Sequence, residues 1–256
     1  IWAPLISRLA EVADSHLIVV DRPGCGLTDA ADYDEVPDFQ TSLSDFVEDV
    51  LDAFELERAQ LVGASIGGMF ALNFALAHPE RVTRLVTAGA PAGLDRPVPL
   101  QFRLLGTRPL GRLIFALTGK PSVEDMRKTH EQLLVAEIDR LSDHYLELTS
   151  MGASLPGRTD GWRRFLEHLV TLRGLRDEAC IREEVADLDV PTLMLWGDRD
   201  AFAPPSSGAA VCARMPDARL ISVEDAGHSV WLDQPEVCAR WIADFLELDG
   251  ERRAGS

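Results

Sequence analysis

Ser65 stands between two glycines in Gly63-Ala64-Ser65-Ile66-Gly67, where a strand pattern gives way to a helix pattern. Residues 59–63 form a short, largely apolar run of strand length, and residues 69–77 are unbroken helix formers. A serine on such a corner is lifted to the top of a sheet, its hydroxyl exposed and its backbone strained. Gly63 and Gly67 are expected where helix and strand approach too closely for side chains. The N–H of Ile66 opens the helix, where the dipole favours a developing negative charge, which makes it a candidate oxyanion donor.

A serine at its free pKa is a poor nucleophile and needs a base within hydrogen-bond reach, with a carboxylate to orient that base. Two later positions supply these groups. Asp200 lies in Trp196-Gly-Asp-Arg-Asp200, leaving one strand, and His228 lies in Asp225-Ala-Gly-His228, leaving the next. The order Ser, Asp, His places all three on one edge of a parallel sheet. Asp198 competes with Asp200 for the acid role, and Asp95 is a more distant choice. Asp200 is preferred because two further loop residues carry it past the strand end toward His228. His78 reads as a helix-terminus residue, while His130, His144 and His168 read as solvated or satisfied histidines on helices. Cys25 reads as a small residue filling a tight turn.

The elements that must position these groups alternate between strand and helix, which predicts an α/β fold with a mostly parallel sheet and helices on both faces. Strands are expected at 17–20, 59–63, 84–89, 191–197 and 219–223, with helices at about 42–56, 66–78, 206–215 and 235–248. Ser42 and Asp45 have capping-box spacing at the start of the first of these helices, and Asp233 or Gln234 caps the last. Between residues 91 and 190 the strand signal vanishes. Helices are expected there at about 99–118, 122–136, 138–151, 159–173 and 177–187, punctuated by proline and glycine. Residues 1–90 and 191–256 then form the core, and 91–190 an inserted helical cap over the carboxyl ends of the strands, where ligands bind in open α/β sheets.

Composition narrows the function. The chain has 256 residues and a formal net charge of −17, which repels nucleic-acid phosphates and anionic membrane surfaces. No apolar run approaches the ~20 residues of a membrane span, and no basic-then-apolar leader opens the chain. The 4 cysteines are scattered without a C-x-x-C pair and the 6 histidines show no ligand spacing, so no metal is implied and a reducing, cytoplasmic setting is expected.

Together these stretches resemble the α/β-hydrolase superfamily, in its capped branch of esterases, lactonases and C–C bond hydrolases. The resemblance rests on Asp21-Arg-Pro-Gly-Cys-Gly-Leu-Thr-Asp29, Val62-Gly-Ala-Ser65-Ile-Gly-Gly68, His78-Pro-Glu-Arg-Val82, Trp196-Gly-Asp-Arg-Asp200 and Gly227-His228-Ser-Val-Trp-Leu-Asp-Gln-Pro-Glu236. It implies Ser65 as nucleophile, Asp200 as acid, His228 as base, and no cofactor. Serine at the position where related dehalogenases and epoxide hydrolases carry aspartate speaks against those two chemistries. Family members begin with further strands and a loop that gives a second oxyanion N–H, whereas this chain opens on Ile1-Trp2-Ala3-Pro4, which resembles the helix after that loop. The expectation is a record lacking on the order of 30–45 N-terminal residues.

The expected activity is hydrolysis of a carboxylic ester or lactone of a medium-sized apolar acid through an acyl-enzyme on Ser65. Cleavage of a C–C bond in a ring-cleavage product is the alternative within the class, and a non-catalytic ligand-binding protein is the alternative outside it.

Overall fold

The computed structural model describes residues 2–13, 15–36 and 38–248. Helices α1 (Ala3–Val12) and α2 (Phe39–Ala53) precede strand β1 (Ala59–Ala64), and α3 (Ile66–Ala77) leads to β2 (Val82–Ala88). A helical stretch follows, with α4 (Leu100–Leu105), α5 (Leu110–Thr118), α6 (Val123–Thr129), α7 (Asp143–Ala153) and α8 (Arg158–Leu169). A short antiparallel hairpin of β3 (Val170–Thr171) and β4 (Gly174–Leu175) closes it. The chain returns through β5 (Thr192–Gly197), α9 (Pro205–Cys212), β6 (Ala218–Val223), α10 (Val230–Asp233) and α11 (Pro235–Leu246).

Strands β1, β2, β5 and β6 lie side by side in that order and run parallel, so their carboxyl ends share one edge. Strand alternation sends neighbouring side chains to opposite faces. Val86, Leu193 and Leu195 face one way, into a core shared with Leu5 and Leu9 of α1 and Cys238, Ile242 and Leu246 of α11. Leu85, Met194 and Trp196 face the other way, against Leu72 and Phe74 of α3 and Val211 of α9. Both faces of the sheet are therefore covered by helices, the arrangement an all-parallel sheet requires.

Three sequence expectations give way to tertiary context. Residues 17–20 lie in no strand, and Val19 and Val20 are 53% and 40% exposed. An extended apolar run becomes a strand only when a neighbour takes its backbone hydrogen bonds. Here β1 pairs with β2 alone among the described residues, so no ladder reaches 17–20. The cap of helix α2 lies four residues before the expected Ser42: Asp38 caps it by accepting the Thr41 N–H at 2.6 Å, while the Ser42 hydroxyl donates to the Phe39 carbonyl. Residues 177–187 form two short 3-10 turns in place of one helix. The Ile181 N–H is taken by the Gly93 carbonyl at 2.9 Å, which removes it from any helical ladder, and the side chains of Ala179, Ile181 and Val185 are fully buried. Among the described residues no helix is long and apolar enough to cross a membrane.

Helix α8 carries the acid that ties the helical stretch together. The Glu167 side chain is 1% exposed and accepts hydrogen bonds from Arg108, Arg112 and Arg163, the Arg112 contact being 3.3 Å. Burial works to raise its carboxyl, but the guanidinium hydrogen bonds outweigh burial and hold it below the usual glutamate range. Removing one partner of a buried ion pair leaves uncompensated charge; because Arg108 and Arg112 are about half exposed and can rehydrate, the expected cost of Glu167→Gln is about 2 kcal/mol. A carboxylate with a depressed folded pKa contributes stability above its unfolded value and loses it as the pH falls through the folded one. Urea midpoints of the native protein and Glu167→Gln should accordingly differ most near neutrality and converge as the pH falls below the usual glutamate range.

Candidate active site

Ser65 occupies the corner between β1 and α3 with φ 50° and ψ −112°, a conformation that costs an L-residue on the order of 1–3 kcal/mol. Three backbone hydrogen bonds hold it there. The Ser65 N–H donates to the Ala88 carbonyl at 3.2 Å, and the Ser65 carbonyl accepts from Met69 and Ala92 at 3.1 Å each. A side chain at Gly63 would stand 2.4 Å from the Gly67 carbonyl oxygen, so strand and helix do approach too closely there for anything larger. Gly67 behaves otherwise. Nothing lies within 4 Å of where its Cβ would be, so this glycine faces open space and is not explained by close packing. The N–H of Ile66, the first residue of α3, precedes the helical ladder and has no acceptor within it.

Asp200 and His228, on the loops after β5 and β6, meet as a buried pair. The His228 Nδ1–H donates to the Asp200 carboxylate at 2.9 Å (Oδ2) and 3.0 Å (Oδ1), with side chains 3% and 0% exposed. Backbone groups hold the carboxylate in turn: Oδ2 accepts the Ala90 N–H at 3.0 Å and Oδ1 the Phe202 N–H at 2.9 Å. A carboxylate against Nδ1 selects the tautomer with its proton there and leaves a lone pair on Nε2. That nitrogen is buried and has no hydrogen-bond partner.

The exit of β2 is the common baseline of the three groups. Ala88 binds the Ser65 backbone, Ala90 binds Asp200, and Gly89 between them lies against His228. Gly89 has φ +71°, and a methyl group on it would stand 2.1 Å from the His228 carbonyl oxygen. Three consecutive residues thus fix the spacing of serine, histidine and aspartate. Sequence reading treated this segment only as a strand end; the glycine following a strand was its one visible signal.

The remaining candidates lie elsewhere. Asp198 accepts the Ala226 N–H at 3.1 Å and makes no contact with His228, and Asp95 pairs with Arg182 at 3.0 Å. His78 ends α3 beside the ring of Phe74, and His144 is exposed next to Glu147. His168 reaches Asp34 at 3.0 Å. His130 is buried with Nδ1 2.8 Å from the Met126 carbonyl, and burial lowers its pKa. Cys25 sits in the turn after Arg22, its N–H on the Arg22 carbonyl. Among the described residues no group of three or more His, Cys, Asp or Glu side chains could hold a metal ion.

Aromatic rings line the way from the histidine to the helical stretch. Phe202 lies 4.2 Å from His228, Phe102 of α4 stacks on Phe202 at 5.7 Å, and Trp162 of α8 meets Phe102 edge-on at 6.2 Å. Arg22 lies over the faces of Trp162 and Phe165 at 5.2 and 5.0 Å. Ile66 packs against the same cluster as Phe165 and Trp162, so the serine corner and α8 border one apolar region.

The fold is that of the α/β-hydrolase family, and the family model matches residues 1–241; the chain belongs to this family. Among curated relatives, a 2-hydroxy-6-oxo-6-phenylhexa-2,4-dienoate hydrolase from Burkholderia cepacia is 30% identical over 245 residues, covering 91% of this chain and 78% of the relative. Among solved structures, a meta-cleavage product hydrolase from Pseudomonas fluorescens IP01 superposes with a TM-score of 0.72 at 23% identity, over 96% of this chain and 84% of that one. A carboxylesterase from Bacillus subtilis gives the same TM-score of 0.72 at 21% identity, over 96% and 78%.

Proposed function

We propose that the protein is a serine hydrolase in which Ser65 is the nucleophile, His228 the general base, Asp200 the orienting acid and the Ile66 N–H an oxyanion donor. The observation that carries this reading is the buried Asp200–His228 pair with Nε2 unpartnered, built on the same strand exit that anchors the strained Ser65. In the mechanism, Nε2 takes the hydroxyl proton as Oγ attacks a carbonyl carbon. The oxygen that becomes negative is stabilised by the N–H at the start of α3, and one such donor is worth about 10²–10³ in rate. His228 returns the proton to the leaving group, and a water activated by His228 then releases the acyl group.

The helical stretch between β2 and β5 acts in this reading as a cap. Its rings, Phe102 and Trp162, continue from Phe202 into an apolar lining suited to an apolar acyl group. Hydrolase function is supported both by the family and by the names of the relatives. The preferred substrate is a carboxylic ester or lactone, in keeping with the carboxylesterase likeness. The second reading, hydrolysis of a C–C bond beside a ketone, is favoured by the dienoate hydrolases among the relatives, and the same serine chemistry serves both.

Turnover of p-nitrophenyl butyrate, a γ-lactone and 2-hydroxy-6-oxo-6-phenylhexa-2,4-dienoate separates them. The ester reading expects kcat/KM for ester or lactone to exceed that for the dienoate by about tenfold or more, roughly 1.4 kcal/mol of transition-state binding. The reverse order assigns the C–C activity. Absence of turnover on all three, with no covalent labelling of serine, returns the protein to the non-catalytic class.

A further inference from the structure

Asp233 is a buried carboxylate that the chemistry above does not use, its side chain 0% exposed. Its Oδ2 accepts two backbone N–H groups at 2.8 Å each, from Gly227 and from Ala136. Its Oδ1 accepts from the Glu137 N–H at 3.4 Å and from Arg140 at 3.3 Å. Gly227 immediately precedes His228, whereas Ala136, Glu137 and Arg140 belong to the segment joining α6 to α7.

A second link lies on the other side of the histidine. The Ser229 N–H donates to the Leu134 carbonyl at 2.6 Å, at the end of a π-helical turn over His130–Leu134. The two strands of chain are in close contact as well: a side chain on Gly227 would stand 2.7 Å from the Val135 carbonyl carbon. Both residues that neighbour His228 are therefore fastened to residues 134–137, Ser229 directly and Gly227 through Asp233. Hydrogen bonds to an ionised acceptor are about twice as strong as neutral ones, so the carboxylate is the firmer of these links.

We infer that Asp233 is a positioning residue that locks the His228 loop to the segment 134–137, so that the setting of the base depends on the helical insertion as well as on the sheet. The inference rests on His228 being the base of a serine hydrolase. It extends the insertion's part from enclosing substrate to aiming the histidine at Ser65.

The test uses three variants of the full-length protein. Asp233→Ala removes every acceptor. Asp233→Asn keeps one oxygen in place. Ala136→Pro deletes the nearest of the donors on the insertion side, at a site where the preceding Val135 is already extended (φ −124°, ψ 152°), as a residue before proline must be. Two quantities are followed: the rate of covalent labelling by a fluorophosphonate, with kcat and KM on p-nitrophenyl butyrate, and the NMR signal of the His228 Nδ1 proton. Misplacing a catalytic group by about 1 Å costs up to about 10²-fold. Labelling and kcat are therefore expected to fall about 10- to 100-fold in Asp233→Ala and less in Asp233→Asn, with KM within about twofold. Ala136→Pro should fall in the same direction, and its effect should not add to that of Asp233→Ala, which already removes the acceptor of the Ala136 N–H.

Unchanged labelling and kcat in folded Asp233→Asn and Ala136→Pro, or a loss confined to KM, overturns the inference. If Asp233→Ala does not fold, the other two variants decide. If the native protein is not labelled at all, it is the serine-hydrolase reading that fails. The Nδ1 signal still tests the link in that case: weakening in the variants supports it, and an identical signal in all of them refutes it.

Discussion

Ser65→Ala is expected to lower kcat on an ester substrate by about 10⁶-fold while leaving KM within a few-fold. In the proposed mechanism the hydroxyl is the attacking atom, so its removal would leave His228 with no proton to accept and no acyl-enzyme to form. Almost nothing else should change. The hydrogen bonds that hold position 65 run through its backbone to Ala88, Met69 and Ala92. Alanine bears the same strain as serine at φ 50°. Steady-state kinetics on a purified variant whose thermal midpoint matches the native protein check the expectation. A folded Ser65→Ala that retains a tenth of the native kcat would mean that another group carries the reaction.

Asp200→Asn is expected to cost about 10⁴-fold in kcat, because the loss acts through a proton on the wrong nitrogen. The carboxylate accepts from Nδ1 of His228 and also from the N–H groups of Ala90 and Phe202. An asparagine keeps its oxygen on those backbone donors and turns its NH₂ toward the ring, which then must accept at Nδ1 and hold its proton on Nε2. The base is lost with the geometry intact. Asp198→Asn is the matched comparison: Asp198 is two residues away, faces the Ala226 N–H and is expected to change kcat by no more than a few-fold. Measuring kcat for both variants decides between the two acids that the loop offers.

Much of this was legible in the sequence, for reasons specific to each residue. The serine corner was readable because the hydrophobic period changes at Ser65, and a strand-to-helix corner between glycines leaves few structures open. Asp200 and His228 were readable because parallel strands deliver their following loops to the same edge. Asp200 over Asp198 followed from reach alone, and it is Asp200 that the structure sets against His228. The expectation that Gly63 and Gly67 share one cause was half right: close packing accounts for Gly63, but Gly67 faces open space.

Other features depend on partners distant in the chain, and no local pattern announces them. Residues 17–20 look like a strand, yet a strand exists only through its neighbour, and none pairs with them among the described residues. Asp233 looks like a helix cap before Pro235. Its actual partners, Gly227 and Ala136, are 6 and 97 positions away. Glu167 sits in a charged helix segment, and the arginines of α5 and the α4–α5 turn close over it. The run 177–187 has helical propensity throughout and loses its helix to a single backbone hydrogen bond from Ile181 to Gly93. In each case a long-range contact outweighs a local preference of a few tenths of a kcal/mol per residue.

The most direct test of Ser65 as an activated nucleophile is fluorophosphonate labelling of the full-length protein, read by intact mass and by peptide mapping. The account predicts one adduct per chain, on the peptide containing Ser65, formed in the native protein, slowed strongly in His228→Ala and absent in Ser65→Ala. An unlabelled native protein, or an adduct that persists in Ser65→Ala, would contradict it.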